Sequence, residues 1–231
     1  MIVVIGSARI DEHGNLAGGK AGDQTGKEVS AQNYYNHSKG WIGLRPKMSE
    51  IADKQVQAMK DACANNNIGY DQNQRLGVVD NLLKAGSIRN ITTKTEADCS
   101  SLVRAVVIEA TGIDPGNFTT SNEVSKLMAT GLYDKVEING EKDCRKGDIL
   151  VTKRKGHTAI VISVDEPAKS IKRPKKIVTV TAWSLYIRKG PDKEKYAAIG
   201  TYSKGNRVEI LEEKNGWGKT EKGWISLKWT K

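Results

Sequence analysis

The stretch from residue 178 to the carboxy terminus constrains the fold of this chain more than any other. Four of the five tryptophans (Trp183, Trp217, Trp224, Trp229) fall there, among short alternating runs cut by glycine turns. Ser184-Leu185-Tyr186-Ile187-Arg188 leads into Gly190-Pro191, and the run from Ala197 to Tyr202 leads into Lys204-Gly205. The run Arg207 to Leu211 precedes Asn215-Gly216-Trp217, and Gly223-Trp224-Ile225-Ser226 closes the series. A period of two with turn signals at regular spacing, and no period of 3.6, specifies a small all-β barrel. Trp217 and Trp224 are expected in its core. Trp183, Tyr186 and Tyr202 are candidate platforms for a ligand, although an aromatic in so small a barrel also has a place in the core.

Upstream of residue 166 the pattern is different. Ser49 heads a segment with Ile51, Val56, Met59 and Cys63 on one face. Leu76, Val79, Leu82 and Leu83 mark a second helix stopped at Gly86, and Asn122 to Met128 a third stopped at Gly131. The chain of 231 residues therefore reads as two domains. Residues 1–166 form an α+β domain and 167–177 a basic linker, with the barrel over 178–231, close to the lower size limit for independent folding.

Within the first domain, Thr95-Glu96-Ala97-Asp98-Cys99 stands at a helix start, with Thr95 and Asp98 at capping-box spacing. Leu102, Val103, Val106, Val107 and Ala110 then follow on one face as far as Gly112. A cysteine in a first helical turn feels the positive end of the macrodipole, which favours the nucleophilic thiolate. As a small apolar side chain it also suits a core. Further on, Gly147-Asp148-Ile149-Leu150-Val151 and His157-Thr158-Ala159-Ile160-Val161-Ile162-Ser163 read as a hairpin, with His157 at the mouth of its second strand. A cysteine at a helix start and a distant histidine at a strand start form the arrangement of Cys–His nucleophilic catalysis.

These segments resemble the NlpC-type, papain-like cysteine peptidases of peptidoglycan and their CHAP amidohydrolase relatives. The likeness rests on Asp98-Cys99-Ser100-Ser101-Leu102-Val103, Gly147-Asp148-Ile149-Leu150 and Gly156-His157-Thr158-Ala159-Ile160-Val161. It covers roughly residues 95–165, with Ser101 where the commonest motif has glycine. The resemblance implies a papain-like α+β fold, Cys99 as nucleophile and His157 as general base. The third, orienting group has no following strand to sit on. The amino-terminal run Ile2-Val3-Val4-Ile5 is expected to supply it by lying antiparallel to 158–163, which brings Asp11 towards His157, with Glu12 and Asp165 as rivals. The Gly-rich stretch from Asp11 to Val29 offers Asp23 and Gln24 as substrate-groove residues, Gln24 as an oxyanion donor. Residues 178–231 resemble the bacterial SH3 domain, which binds cell walls.

The net charge of +10 and a pI near 9.4 imply an anionic partner. Peptidoglycan with anionic wall polymers is the expected one. Nucleic acid is set aside, because Lys172-Arg173-Pro174-Lys175-Lys176 sits in a linker and no nucleic-acid motif is present. Cys63, Cys99 and Cys144 contain no CxxC, so neither zinc nor a disulfide scaffold is expected, and no cofactor is called for. A Cys63–Cys144 disulfide stays open. The start Met1-Ile2-Val3-Val4-Ile5-Gly6 lacks a basic n-region, and no run is long enough to span a membrane. The expectation is a monomeric endolysin made in the host cytoplasm without a signal peptide and released to the wall through a holin. It cleaves a stem-peptide bond, with the muramoyl-alanine amide as runner-up and an inactive wall-binding protein as a further alternative.

Overall fold

The computed structural model describes residues 2–154, 156–165 and 176–231. The chain divides into two units, Met1–Pro167 and Ala168–Lys231. Apart from Lys176 and Ile177, which open a strand, the expected linker lies outside the described residues.

The first unit is α+β. Its strands are β1 (Ile2–Ala8), β2 (Val29–Asn33), β3 (Trp41–Pro46), β4 (Ile68–Tyr70), β5 (Thr95–Ala97), β6 (Tyr133–Ile138), β7 (Ile149–Thr152) and β8 (Thr158–Asp165). Its helices are α1 (Ser49–Ala64), α2 (Gly77–Ala85), α3 (Cys99–Thr111) and α4 (Glu123–Ala129). Six strands form one antiparallel sheet in the order β2-β1-β8-β7-β3-β6, and β4 and β5 pair in parallel beside it. The amino-terminal strand does lie antiparallel to the histidine strand, with Ile5 opposite Val161 and Gly6 opposite Ile160. It covers an edge that β8 would otherwise expose.

Alternation along β1 feeds two cores. Val3 and Ile5 join Trp41, Leu150, Ala159 and Val161 on one face, while Val4 and Ala8 join the helices on the other. Gly6 leaves room for α1, since a Cβ there would stand 2.6 Å from Met59 Cγ. The two core memberships also decide the disulfide question. Cys63 packs with the helical core and Cys144 with the opposite one, so the sheet separates them, and all three cysteines are free.

Helix α1 buries Ile51, Val56, Met59 and Ala62 at helical spacing. Its buried Gln55 donates to Gly147 O at 2.9 Å and accepts from Tyr133 Oη at 2.5 Å, tying α1 to β6 and to the turn before β7. In that turn Asp148 is fully buried and takes a bidentate pair from Arg45 of β3, Nε at 2.9 Å and Nη2 at 2.7 Å. This pair accounts for the Gly-Asp motif, because Asp148 Oδ2 also accepts the Arg145 N–H at 2.8 Å and closes the turn.

The second unit is all β: β9 (Lys176–Thr179), β10 (Ser184–Arg188), β11 (Ala198–Ser203), β12 (Arg207–Ile210), β13 (Glu212–Lys214), β14 (Trp217–Thr220) and β15 (Gly223–Ser226). Five strands run β11-β10-β15-β14-β13, and β12 pairs with β9. Val178, Val180, Leu185, Ile187, Val208, Ile210 and Ile225 form its core.

Removing one partner of a buried, hydrogen-bonded ion pair leaves the other charge uncompensated, at a cost of roughly 3–5 kcal/mol. Asp148→Ala is expected to lose stability on that scale in denaturant unfolding. The double change Arg45→Met with Asp148→Leu, which removes both charges, is expected to lose clearly less.

Candidate active site

Helix α3 begins in a network that fixes its first turn. Asp98 is the N-cap, and its Oδ1 accepts the Ser101 N–H at 2.7 Å while Ser101 Oγ accepts the Asp98 N–H at 2.9 Å. The capping box is thus Asp98–Ser101, not Thr95–Asp98, and Thr95 belongs to β5. A serine at position 101 is what completes the box. Arg75 clamps the cap from outside, with Nε donating to Asp98 Oδ2 at 2.6 Å and Nη2 to Ser100 Oγ at 2.9 Å and to Phe118 O at 2.5 Å.

Cys99 is the first residue inside that cap, and it is buried. Its sulfur faces the backbone N–H groups of Ser100 and Thr158. Thr158 opens β8 directly after His157, so the cap of α3 and the mouth of β8 converge on one point. The His157 ring lies against Trp41, centroids 6.2 Å apart. Trp41 in turn packs edge-on against His37 at 5.2 Å and Tyr35 at 5.8 Å. Tyr35, on the loop between β2 and β3, feels the charges of both Arg9 and Cys99.

Electrostatics oppose the thiolate expected from the helix dipole. Burial, then the charges of Asp98 and Glu123, push the Cys99 thiol up to about 12, outweighing the two N–H groups. Burial, then His37 and Arg9, pulls His157 down to about 4. Near neutral pH the thiol and the imidazole both rest uncharged.

The groups facing His157 are His37 and Arg9. Asp11 turns back on its own loop, where Oδ1 accepts the N–H groups of His13 at 2.9 Å and Asn15 at 2.6 Å. Glu12 accepts the Lys20 N–H, and Asp165 ends β8 at the far end from His157. Asp23 and Gln24 are likewise occupied within their loop. Asp23 accepts from Gly26 N at 2.6 Å and Glu28 N at 3.0 Å, and the Gln24 amide donates to Gly22 O at 2.7 Å and Ala21 O at 3.1 Å. Gln24 has no free donor to offer an oxyanion. Arg9 is placed by β1, with its guanidinium bonded to Gln32 and to Ser30 Oγ, and its Nε is buried without a partner.

Sequence reasoning missed Arg75 and Glu123, whose partners lie on elements distant in sequence and which no local pattern marks. Arg9 was legible as a residue carried towards His157 by the end of the amino-terminal strand, as it is. His37 was findable, as one of only three histidines in the chain.

A family model described as an endolysin-like domain matches residues 5–168. The chain belongs to that family. A bacterial SH3 domain matches residues 183–231. This endolysin-like protein therefore pairs a hydrolase domain with a wall-binding module, the organisation of a peptidoglycan hydrolase. No curated protein and no solved structure matches the chain. In the SH3 unit Trp183 and Tyr186 are exposed, whereas Tyr202 packs on the core and bonds Thr220 through its hydroxyl at 3.3 Å. Trp224 is buried as expected, but Trp217 is half-buried and lines a groove with Trp183 and Trp229.

On β5 the endolysin-like domain buries Glu96 near Glu28, Asp71 and Glu12. Burial first, then those charges, raise Glu96 to about 8. Glu123 is raised to about 8 as well, by burial first. Both groups hold a proton in the folded protein that the unfolded chain releases near pH 4.5. Their contribution to stability is full below that pH and is lost as pH rises through about 8. The melting temperature is expected to fall between pH 5 and pH 9, and Glu96→Gln, which keeps the site neutral, is expected to flatten that fall.

Proposed function

We propose that this protein cleaves a bond of the Gram-positive peptidoglycan stem peptide, with Cys99 as nucleophile and His157 as general base. The observation that carries the reading is the convergence of the Cys99 cap and the His157–Thr158 strand mouth inside an endolysin-like domain. We read the catalytic unit as papain-like, with the nucleophile helix packed on the sheet that holds the histidine.

Because thiol and imidazole are both neutral at rest, proton transfer accompanies attack. His157 takes the Cys99 proton as sulfur bonds to the carbonyl carbon, and the resulting oxyanion forms at the positive end of α3. Collapse breaks the C–N bond, and the leaving amine takes the proton from His157. Water, deprotonated by His157, then hydrolyses the thioester and restores the thiol. His37 and Arg9 replace Asp11 as the groups that set the imidazole's environment. The SH3 unit holds the enzyme on the wall through the face that carries Trp183 and Tyr186.

Fragments released from purified Gram-positive peptidoglycan, identified by mass spectrometry, test this reading. New peptide amino termini are expected from the wild type and none from Cys99→Ala. Glycan freed of intact stems assigns the amide bond instead, and no release by either protein, on walls that both bind, leaves a binding protein. The acidic limb of the rate profile is expected near pH 4, where His157 protonates, and not near 6.5.

A further inference from the structure

The net charge of this protein is not spread over it. Residues 1–167 carry 21 Lys and Arg against 21 Asp and Glu, whereas residues 168–231 carry 16 against 6. The whole net charge of +10 therefore falls in residues 168–231, half of it in the basic linker and half in the SH3 barrel, where residues 178–231 carry 11 Lys and Arg against 6 Asp and Glu. Within that unit a groove of about 640 Å³ is lined by Trp183, Tyr186, Trp217 and Trp229 together with Arg188, Lys193 and Lys228. None of its lining residues is acidic. Trp183 is 83% exposed, Tyr186 57% and Trp229 49%, which is unusual for aromatics that serve only a core. Cations already flank the rings: Lys204 Nζ stands 4.5 Å from the Trp183 ring centre, and Arg188 and Lys228 lie 5.7 Å from Tyr186 and Trp229.

Aromatic faces beside a row of cations suit a chain that alternates a neutral, stackable unit with an anion. Resting on the reading of this protein as a wall hydrolase, we propose that the groove binds a phosphodiester-linked wall polymer, its sugar or polyol units on the aromatics and its phosphates on Arg188, Lys193 and Lys228. Repeating phosphates engage all three cations at once, which the sparse carboxylates of a stem peptide do not. The catalytic unit, with no net charge, takes no part in this attraction.

The test is sedimentation of the full-length Cys99→Ala protein with Gram-positive walls, intact or stripped of phosphodiester polymers by hydrofluoric acid. Soluble poly(glycerol phosphate) serves as a direct probe. Three displaced counterions imply affinity for intact walls falling about twentyfold between 50 and 200 mM salt, using the single-strand polyanion slope. Stripped walls, and the exposed changes Lys193→Glu with Lys228→Glu, are expected to bind at least tenfold more weakly. Equal, salt-insensitive binding to stripped walls overturns the proposal and assigns the groove to peptide or glycan. Failure of the wall-hydrolase reading shows separately, as no fragment release by wild type from walls it binds.

A different observation concerns the thiol. Glu123 opens α4 with no solvent exposure, its Oε1 accepts Thr158 Oγ1 at 2.7 Å, and its Oε2 has no partner. Thr158 is also the residue whose N–H faces the Cys99 sulfur. We infer that Glu123 is a positioning residue which, as a neutral acid, holds Thr158 in place against the nucleophile and, once ionised, opposes the negative charge formed there. The charged groups around it are Asp98 from α3, already clamped by Arg75, and Cys99 itself. From β6 and β3, which also pack on α4, come Tyr133, bonded to Gln55, and Arg45, bonded to Asp148. Asp134 with Lys47, Lys153 with Glu137, Lys135 of β6 and Lys126 of α4 itself complete the set at the surface.

The rate against pH decides the matter. The wild-type kcat is expected to fall above pH 8, with Glu123→Gln moving that limb to higher pH. Thr158→Val removes the hydrogen bond that favours the ionised carboxylate, so it too is expected to shift the limb upward, with kcat lowered and KM unchanged. This second variant serves if Glu123→Gln fails to fold. An alkaline limb at the wild-type position in either folded variant overturns the inference.

Discussion

The site depends on the Asp98 cap of α3. One carboxylate accepts the Ser101 N–H and the Ser100 hydroxyl on one oxygen and Arg75 on the other. Those bonds fix where the helix starts, and therefore where the Cys99 thiol stands. Arg75 continues to Phe118 O and to Asn117 Oδ1, so the same guanidinium anchors the segment that leads into α4. Nucleophile and Glu123 are thereby referred to one ion pair, with side chains only 15% and 11% exposed. A charge-assisted pair held this far from water resists screening in a way that a surface pair does not.

Burial explains why the chemistry of the site differs from what a helix dipole alone dictates. The dipole supplies about half a positive charge at α3's first turn. Desolvation acts on the whole charge of a thiolate, and Asp98 adds its own repulsion, joined by Glu123 once that group ionises, so the thiol wins at rest. The dipole remains useful later, when charge appears on the substrate oxygen within the bound complex. A thiol that ionises only as it attacks is also shielded from adventitious oxidation.

Much of this was legible in the sequence, for physical reasons that can be named. The α3 periodicity, the β7–β8 hairpin and the pairing of the amino-terminal run with β8 follow from hydrophobic period and from an edge needing cover. The alternation in the carboxy-terminal stretch specified an all-β unit. Side-chain partnerships were not legible. Asp11 and Gln24 looked available, but Asp11 Oδ1 and the Gln24 amide are taken by their own loop, because Asp and amide side chains next to glycines satisfy nearby backbone first. Nothing local marks Glu123, and only the fold reveals that it accepts the hydroxyl of Thr158, thirty-five positions away. Tyr202 and Trp217 exchanged places for the same reason: alternation identifies a face, whereas the closure of the barrel decides which aromatic is left at its rim.

Trapping of the acyl-enzyme tests the central claim most directly. Wild-type protein mixed with a soluble wall peptide, quenched in acid within a turnover and digested, is examined for a thioester on the peptide that contains Cys99. The account requires that adduct on Cys99, absent in Cys99→Ala and absent also when His157 is replaced by a residue that cannot take the thiol proton. Release of product by Cys99→Ala at the wild-type rate, with no adduct on any cysteine, would contradict it.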